Sequence, residues 1–163
     1  AANGLALPPL REGVLDEILR AVCEDKRSFD EIRAARPLEH LMAHLPANVS
    51  RELDRFAPEF VAIAGRPRVA VSYEAGREPY IESRMQDFFG TIDGPALANG
   101  RVPVVLHLLA PNQRAVQVTK DLKGFWERHY QGIRKELMRK YPRHYWPEDP
   151  RNAEPRSPQR RQR

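Results

Sequence analysis

The stretch Arg114–Pro150, RAVQVTKDLKGFWERHYQGIRKELMRKYPRHYWPEDP, carries three structural signals in one run. Val116 and Val118 alternate with polar residues, as in a short half-buried strand. From Asp121 to about Lys140, Leu122, Trp126, Tyr130, Ile133, Leu137 and Tyr141 follow helical spacing, so one long helix lays an aromatic stripe on the sheet. Pro142, Pro147 and Pro150, with Pro155 and Pro158 beyond, then prevent regular continuation.

Reading outward, the strand at Val116 needs a partner. Val102–Leu109 supplies one, apolar enough for a central strand once Pro103 is placed at its beginning, with Pro111-Asn112-Gln113 as the turn of the hairpin. Thr91–Gly100, rich in Gly and Pro, reads as a loop, and Met85, Phe88 and Phe89 fit one helical turn ended by Gly90. Phe60–Ile63, Arg68–Tyr73 and Pro79–Arg84, separated by Gly65 and Glu74–Arg77, give two or three strands of an antiparallel meander.

Upstream of Pro58 the period is 3.6. Val14, Leu15, Ile18, Leu19 and Val22 share one face of a first helix. Ser28 and Glu31 form a capping box for a short second helix that buries Phe29 and Ile32. Pro37 suits the first turn of a third helix, with Leu38, Leu41, Met42 and Leu45 inward and Pro46 closing it. A fourth, from about Asn48 to Phe56 with Leu53 and Phe56 inward, ends before Pro58, whose ring disfavours helical geometry in the preceding residue. Asn48-Val49-Ser50 fits a glycosylation sequon but is read as the start of that helix.

The fold class is therefore α+β: a small N-terminal helical array, then an antiparallel sheet covered by a long C-terminal helix. The expected boundaries are a flexible segment 1–10 and a domain 11–150, divided into helical part 11–57, sheet 58–119, helix 120–141 and Pro-rich exit 142–150. Residues 151–163 have no apolar side chain larger than Ala and read as a disordered basic tail.

With 163 residues, 41% of them hydrophobic, the chain is long enough for one core and short for two. The lone thiol, Cys23, lies in an apolar pattern and reads as a small buried residue. No basic leader and no apolar run of spanning length is present, so the expected setting is cytoplasmic, without a membrane partner, and the chain reads as a fragment of a longer protein. Charge is uneven. Residues 1–119 carry 14 Arg and Lys against 16 Asp and Glu, a net of −2, whereas residues 120–163 carry 13 against 6, a net of +7. Such asymmetry points to an anionic partner such as nucleic acid, or to a merely solvated end.

Catalytic signatures are missing. None of the nine glycines is followed by Lys, so there is no phosphate-binding loop, and the acidic pairs Asp16-Glu17 and Asp30-Glu31 sit at helix starts, where the helix dipole favours them. His40 and His44 have the spacing of two zinc ligands on a helix, but Leu41 follows His40 where a metalloprotease needs Glu, and no third ligand follows; they are read as ordinary histidines. There is no Gly-x-Ser-x-Gly elbow either. The expectation is no catalytic residue, no metal and no cofactor in this piece.

Val116-Gln117-Val118-Thr119, Asp121-Leu122, Phe125-Trp126, Arg134-Lys135-Glu136-Leu137, Tyr141-Pro142 and Trp146-Pro147-Glu148-Asp149-Pro150 resemble the C-terminal signature of HrpB-type bacterial ATP-dependent helicases, relatives of the DEAH-box RNA helicases. Leu53-Asp54, Ala57-Pro58, Val69–Tyr73, Gln86 with Phe89-Gly90, and Gly100-Arg101-Val102-Pro103 extend the resemblance from about Leu38 to Pro150. It implies a parent that is a superfamily 2 helicase, with ATP and Mg²⁺ held by motor domains upstream of this piece and those domains as its intramolecular partners. Ala115 stands where Pro is usual, Met138-Arg139-Lys140 replaces Arg-Gly-Arg, and Tyr145 replaces the Pro before Trp146. Loss of the glycine lets the helix run further toward Tyr141, and loss of the proline loosens the exit.

Two functions are open at this level. Lys120, Lys123, Arg128, Arg134, Lys135, Arg139, Lys140, Arg143 and His144 fall mainly between the apolar stripe positions and are the candidate RNA contacts. Tyr141, Tyr145 and Trp146 could stack bases beside them, although a Pro-flanked Trp146 reads better as a plug. The alternative is an interdomain or protein docking module whose basic face is incidental.

Overall fold

The structure, a computed structural model, describes residues 13–35, 37–45 and 47–155. It divides into two compact units, residues 1–56 and 57–163, and the described residues hold two hydrophobic clusters where chain length alone led us to expect one core.

In the first unit the helical periodicity produces α1 (Val14–Cys23), α2 (Phe29–Ala34), α3 (Pro37–His44) and α4 (Ala47–Phe56). The Ser28 hydroxyl accepts the Glu31 N–H at 3.2 Å, as the capping box requires, while the Glu31 carboxylate accepts from the Arg27 N–H at 2.9 Å. The buried stripe of α1 is narrower than expected. Val14, Ile18 and Val22, one turn apart, are buried against Ile32, Ala35 and Leu41. Leu15 and Leu19 are more than half exposed, Cys23 is exposed, and Phe29 is 81% exposed. A six-residue α2 and an eight-residue α3 cover only one row of α1, so the flanking row stays uncovered. Residues 1–12, Arg36, Pro46 and 156–163, with the side chains of Pro37, Leu38, His44, Ala47 and Asn48, lie outside what is described.

The second unit starts with β1 (Phe60–Ile63), β2 (Arg66–Ser72) and β3 (Tyr80–Arg84), the expected antiparallel meander. A 3₁₀ turn at Met85–Phe88 follows, ended by Gly90 at φ +80°. The segment read as a loop contains β4 (Ala96–Leu97), which pairs with β5 (Val102–Pro103). The single strand expected over 102–109 is broken at Val104, whose N–H turns to the Pro95 carbonyl, and resumes as β6 (Val105–Leu109) before β7 (Ala115–Thr119).

The larger sheet has the order β1-β2-β3-β6-β7 and is mixed. β6 runs parallel to β3, from Tyr80 opposite Val105 to Arg84 opposite Leu109. This corrects the all-antiparallel reading. The 20 residues between Arg84 and Val105 are ample for the crossover that parallel pairing needs, but no local pattern announces which neighbour a strand will choose.

The long C-terminal helix is two: α5 (Leu122–Arg128) and α6 (Tyr130–Lys140), joined at His129, whose φ of −119° departs from helical geometry. Asp121 caps α5 by accepting the Gly124 N–H at 2.7 Å. The expected stripe is nonetheless kept: Leu122, Trp126, Tyr130 and Leu137 are buried, and Ile133 and Tyr141 are half-buried. Trp126 and Tyr130, one turn apart, meet edge-to-face at 5.3 Å, and each ring also packs near Phe89. Phe125, outside the expected stripe, is buried too.

After α6 the chain returns over the core as an irregular strap. Prolines deny it regular hydrogen bonding, so its carbonyls are taken by donors from elsewhere. Gln86 Nε2 donates to the Tyr145 carbonyl at 3.2 Å, Arg134 Nε to Trp146 at 3.0 Å, the Tyr130 hydroxyl to Pro147 at 2.7 Å, Gln131 Nε2 to Glu148 at 2.6 Å and the Gly90 N–H to Pro150 at 2.8 Å. Trp146 is buried with its Nε1 on the Tyr141 carbonyl, the plug expected of it. Ala153 is buried in the same core, so ordered packing continues past Arg151, where disorder had been expected to begin. The exit without its proline at 145 is held by the Gln86 bond.

Three outcomes follow from the strap. Tyr130→Phe loses one hydrogen bond and lowers unfolding free energy by about 0.5–1.5 kcal/mol in urea titrations. Burial raises the Tyr130 phenol above its ordinary value, so its contribution is full below about pH 10 and is lost as pH rises further; Tyr130→Phe flattens that alkaline loss. Gly90→Ala, with a Cβ 2.8 Å from the Ala153 carbonyl and φ +80°, costs at least about 1–2 kcal/mol in the same titration.

Candidate nucleic-acid interface

The nine expected contact residues separate into three groups once their side chains are placed. Lys120, Lys123 and Arg128 lie around the start and end of α5. Lys120 Nζ is 2.6 Å from Glu78, and Arg128 Nη2 is 2.7 Å from Asp121. The Gly124 N–H and then Arg128 hold the Asp121 carboxyl below its ordinary range, and the Lys123 charge adds to this. These cations already have anionic neighbours.

Arg134 forms the second group by itself. Its side chain is only 16% exposed, its Nε fastens the Trp146 carbonyl and its Nη2 lies 3.9 Å from Glu148. It holds the strap, and its inward turn was hidden in the sequence because its position on the stripe boundary is compatible with either direction.

The third group faces solvent. Lys135 and Arg139 are exposed one turn apart on α6, Lys140 is exposed with Nζ 5.7 Å from the Tyr141 ring centroid, and Arg143 and His144 are exposed at the start of the strap. Lys135, Arg139 and Arg143 take part in no side-chain ion pair among the described residues. The His144 ring stands edge-on to Tyr141 at 6.0 Å. Of the aromatics considered for stacking, Trp146 is buried, Tyr141 is half-buried and Tyr145 is 37% exposed, with its ring edge-on to Phe89. Cations and accessible aromatic edges thus meet at the end of α6, where the helix dipole also favours positive charge.

The sheet has a second surface that strand-by-strand reading did not reveal. Alternation turns Val69, Val71, Ile81, Leu106 and Leu108 toward the helices, and it turns Ala70, Ser72, Tyr80, Glu82 and His107 the other way. Tyr80 on β3 and His107 on β6 stack with ring centroids 4.7 Å apart and planes 14° from parallel. Glu82 holds His107 Nδ1 at 3.1 Å, and Glu74 accepts the Tyr80 hydroxyl at 2.7 Å. That last bond holds the Glu74 carboxyl below its ordinary range and pushes the Tyr80 phenol up. Arg68 lies over the Phe60 ring at 3.7 Å. The outward positions were visible as alternation; the ring pair was not, because it depends on the parallel register of β3 with β6.

Among the described residues no three metal-ligating side chains converge, and no helix is long and apolar enough to cross a membrane. His40 is half-buried on α3, and the His44 side chain lies outside the described set.

Residues 18–150 match the family described as ATP-dependent helicase C-terminal, HrpB_C. The chain is 38% identical over 129 residues to the ATP-dependent RNA helicase HrpB of Escherichia coli strain K12, a match that covers 79% of this chain and 15% of that protein. Its structure is similar to the crystal structure of the E. coli DExH-box NTPase HrpB, with a TM-score of 0.76 and 34% identity over 88% of this chain and 18% of the other. A crystal structure of the Escherichia coli DEAH/RHA helicase HrpB gives a TM-score of 0.60 and 31% identity, covering 82% and 17%. The chain spans less than a fifth of the length of these relatives. A signature concentrated in the strap and α6, a match over most of the chain and a shared fold lead to one assignment: the chain belongs to the C-terminal family of HrpB-type ATP-dependent helicases.

Proposed function

We propose that this chain is a non-catalytic accessory domain of an ATP-dependent RNA helicase and that it contacts RNA through Lys135, Arg139, Lys140 and Arg143, with His144 beside them. The observation that carries the reading is the solvent-facing group at the end of α6, whose members are exposed while Arg134 is engaged by the strap. Phosphates bound there would release counterions, so affinity would fall steeply with salt. ATP and Mg²⁺ would belong to the motor domains of a longer parent, in a cytoplasmic setting. The absence of any Gly-Lys pair in the sequence supports placing hydrolysis elsewhere.

A docking role has its own support in the first unit. Leu15 and Leu19 are 55% and 56% exposed one turn apart on α1, in line with exposed Cys23. Such a stripe is suited to packing against another domain of the parent. Leu15→Asp with Leu19→Asp would weaken association with a separately supplied helicase core while leaving RNA affinity unchanged.

For the RNA reading, the measurement is fluorescence anisotropy with a single-stranded RNA across a salt series. Replacing Lys135, Arg139, Lys140 and Arg143 by Gln should lower affinity and flatten the salt slope by roughly 0.7 for each phosphate that is no longer neutralised. No binding by the unaltered chain at low salt would remove the reading. Arg134→Met is the contrast. Losing a charge-assisted hydrogen bond costs about 1.5–3 kcal/mol of stability, whereas Lys135→Met changes it by less than about 0.5 kcal/mol. Phosphate release from ATP by this chain should stay at the blank rate.

A further inference from the structure

We propose that the open face of the five-stranded sheet is a base-stacking site for single-stranded RNA, centred on the Tyr80–His107 ring pair. The inference rests on the RNA reading above and adds a second surface to it, on the side of the sheet away from α6.

The pair is unusual for an outward sheet surface. Two aromatic rings on adjacent strands lie parallel at 4.7 Å and are half-buried, so each still presents surface to solvent. Both are held in place from the side. Glu74 takes the Tyr80 hydroxyl, and Glu82 takes His107 Nδ1, so the rings are oriented before any ligand arrives. Orientation in advance lowers the entropy cost of binding. Next to Tyr80 on β2 the paired residue is Ser72, and Ala70 and Glu82 continue the surface. These side chains are mostly small, and a depression of about 260 Å³ opens there, lined by Arg66, Val69, Ala70, Ser72 and Glu82. On the other side of His107 its partner on β7 is Val118, half exposed. A planar base therefore has room to continue the stack.

Charge selects the occupant. Arg68 and Arg84 stand on this face, and neither makes a side-chain ion pair among the described residues. Glu74 and Glu78, just ahead of Tyr80 at the start of β3, are engaged by Arg77 and Lys120. Glu82 remains as the carboxylate in the middle of the face, tied to His107. Arg84 lies four residues along β3 from Tyr80 and Arg68 lies over the Phe60 ring, so guanidinium groups and ring faces share one surface at a spacing that a single strand can span, with phosphates on the cations and bases on the rings. An apolar protein partner would instead need a wide hydrophobic patch. On this face the large apolar exposure is Val118, and Tyr80 and His107 both end in hydrogen-bonding groups.

The test uses this chain and a short single-stranded RNA carrying 2-aminopurine. Tyr80→Ala with His107→Ala should weaken binding about tenfold and abolish the fluorescence quenching, with the salt slope unchanged; stacking is worth roughly 1–3 kcal/mol per base, and about 1.4 kcal/mol is tenfold. Tyr80→Phe keeps the ring and should keep the quenching. Val118→Glu, which removes nothing from the core, places a carboxylate beside His107 and should weaken binding even if the double variant fails to fold. Unchanged affinity and quenching in these variants, with binding abolished when the α6 cations are neutralised, would overturn this site and leave the helix reading standing. Lost quenching with no effect of the α6 changes would do the reverse. If the variants leave RNA binding intact but weaken association with a separately supplied helicase core, the face is a protein-docking surface and the proposal is wrong.

Discussion

The strap is irregular because of its prolines, and an irregular segment can lie on a core only if its carbonyls find donors. That requirement organises the second unit. An unpaired buried carbonyl costs about 1–3 kcal/mol, so donors must be delivered by side chains or by a free N–H. Gln86, Tyr130, Gln131, Arg134 and Gly90 deliver them from two places: the turn after β3, and α6. Each anchor must also be correctly placed on its own element. Tyr130 can serve because its ring lies in the core near Phe89 while its hydroxyl reaches the Pro147 carbonyl. Gly90 can serve because its positive φ aims its N–H at Pro150 where any side chain would meet the Ala153 carbonyl.

Arg134 shows how this requirement constrains function. In the sequence Arg134 and Lys135 form one basic pair on one helix. In the folded unit they are separated by about 100° of rotation, and that rotation sets their roles: one fastens the Trp146 carbonyl from a nearly closed position, and its neighbour is open to solvent. Arg suits the inward position because a planar guanidinium can serve a carbonyl and approach Glu148 at once, which an ammonium does less well. Anchoring of the strap and exposure to solvent thus fall to different residues at adjacent positions of the chain.

Local periodicity made the helices, the meander, the β6–β7 hairpin and the aromatic stripe legible in the sequence. What it could not show was everything decided by partners distant along the chain. The parallel pairing of β3 with β6 depends on a crossover through β4 and β5, and the interruption at Val104 depends on the Pro95 carbonyl. Leu15, Leu19 and Phe29 matched an amphipathic pattern, yet a pattern states which residues could be buried, and short neighbours α2 and α3 leave them uncovered. Ala153 is the converse case: in a stretch whose composition reads as disordered, it packs into the core with its carbonyl close to Gly90, because backbone packing leaves no compositional trace. The candidate cations were legible as a set, but their division into strap, paired and open groups was not.

The sheet connects these points. Its inner face must be apolar because α5, α6 and the strap cover it, and this fixes the register of every strand to within one residue. Fixing the inner face also fixes the outer one, since alternation leaves no freedom: once Ile81 and Leu106 point inward, Tyr80 and His107 must point outward, and the parallel register, with Tyr80 opposite Val105 and His107 opposite Glu82, sets them on a diagonal across which the rings stack. The ring pair is therefore held by the same core that α6 and the strap complete. A substitution that loosened the strap would disturb the rings through the sheet, whereas one that removed a ring would leave the strap and core intact. That asymmetry places any role of the outer face downstream of folding, where side chains can vary without endangering the fold that positions them.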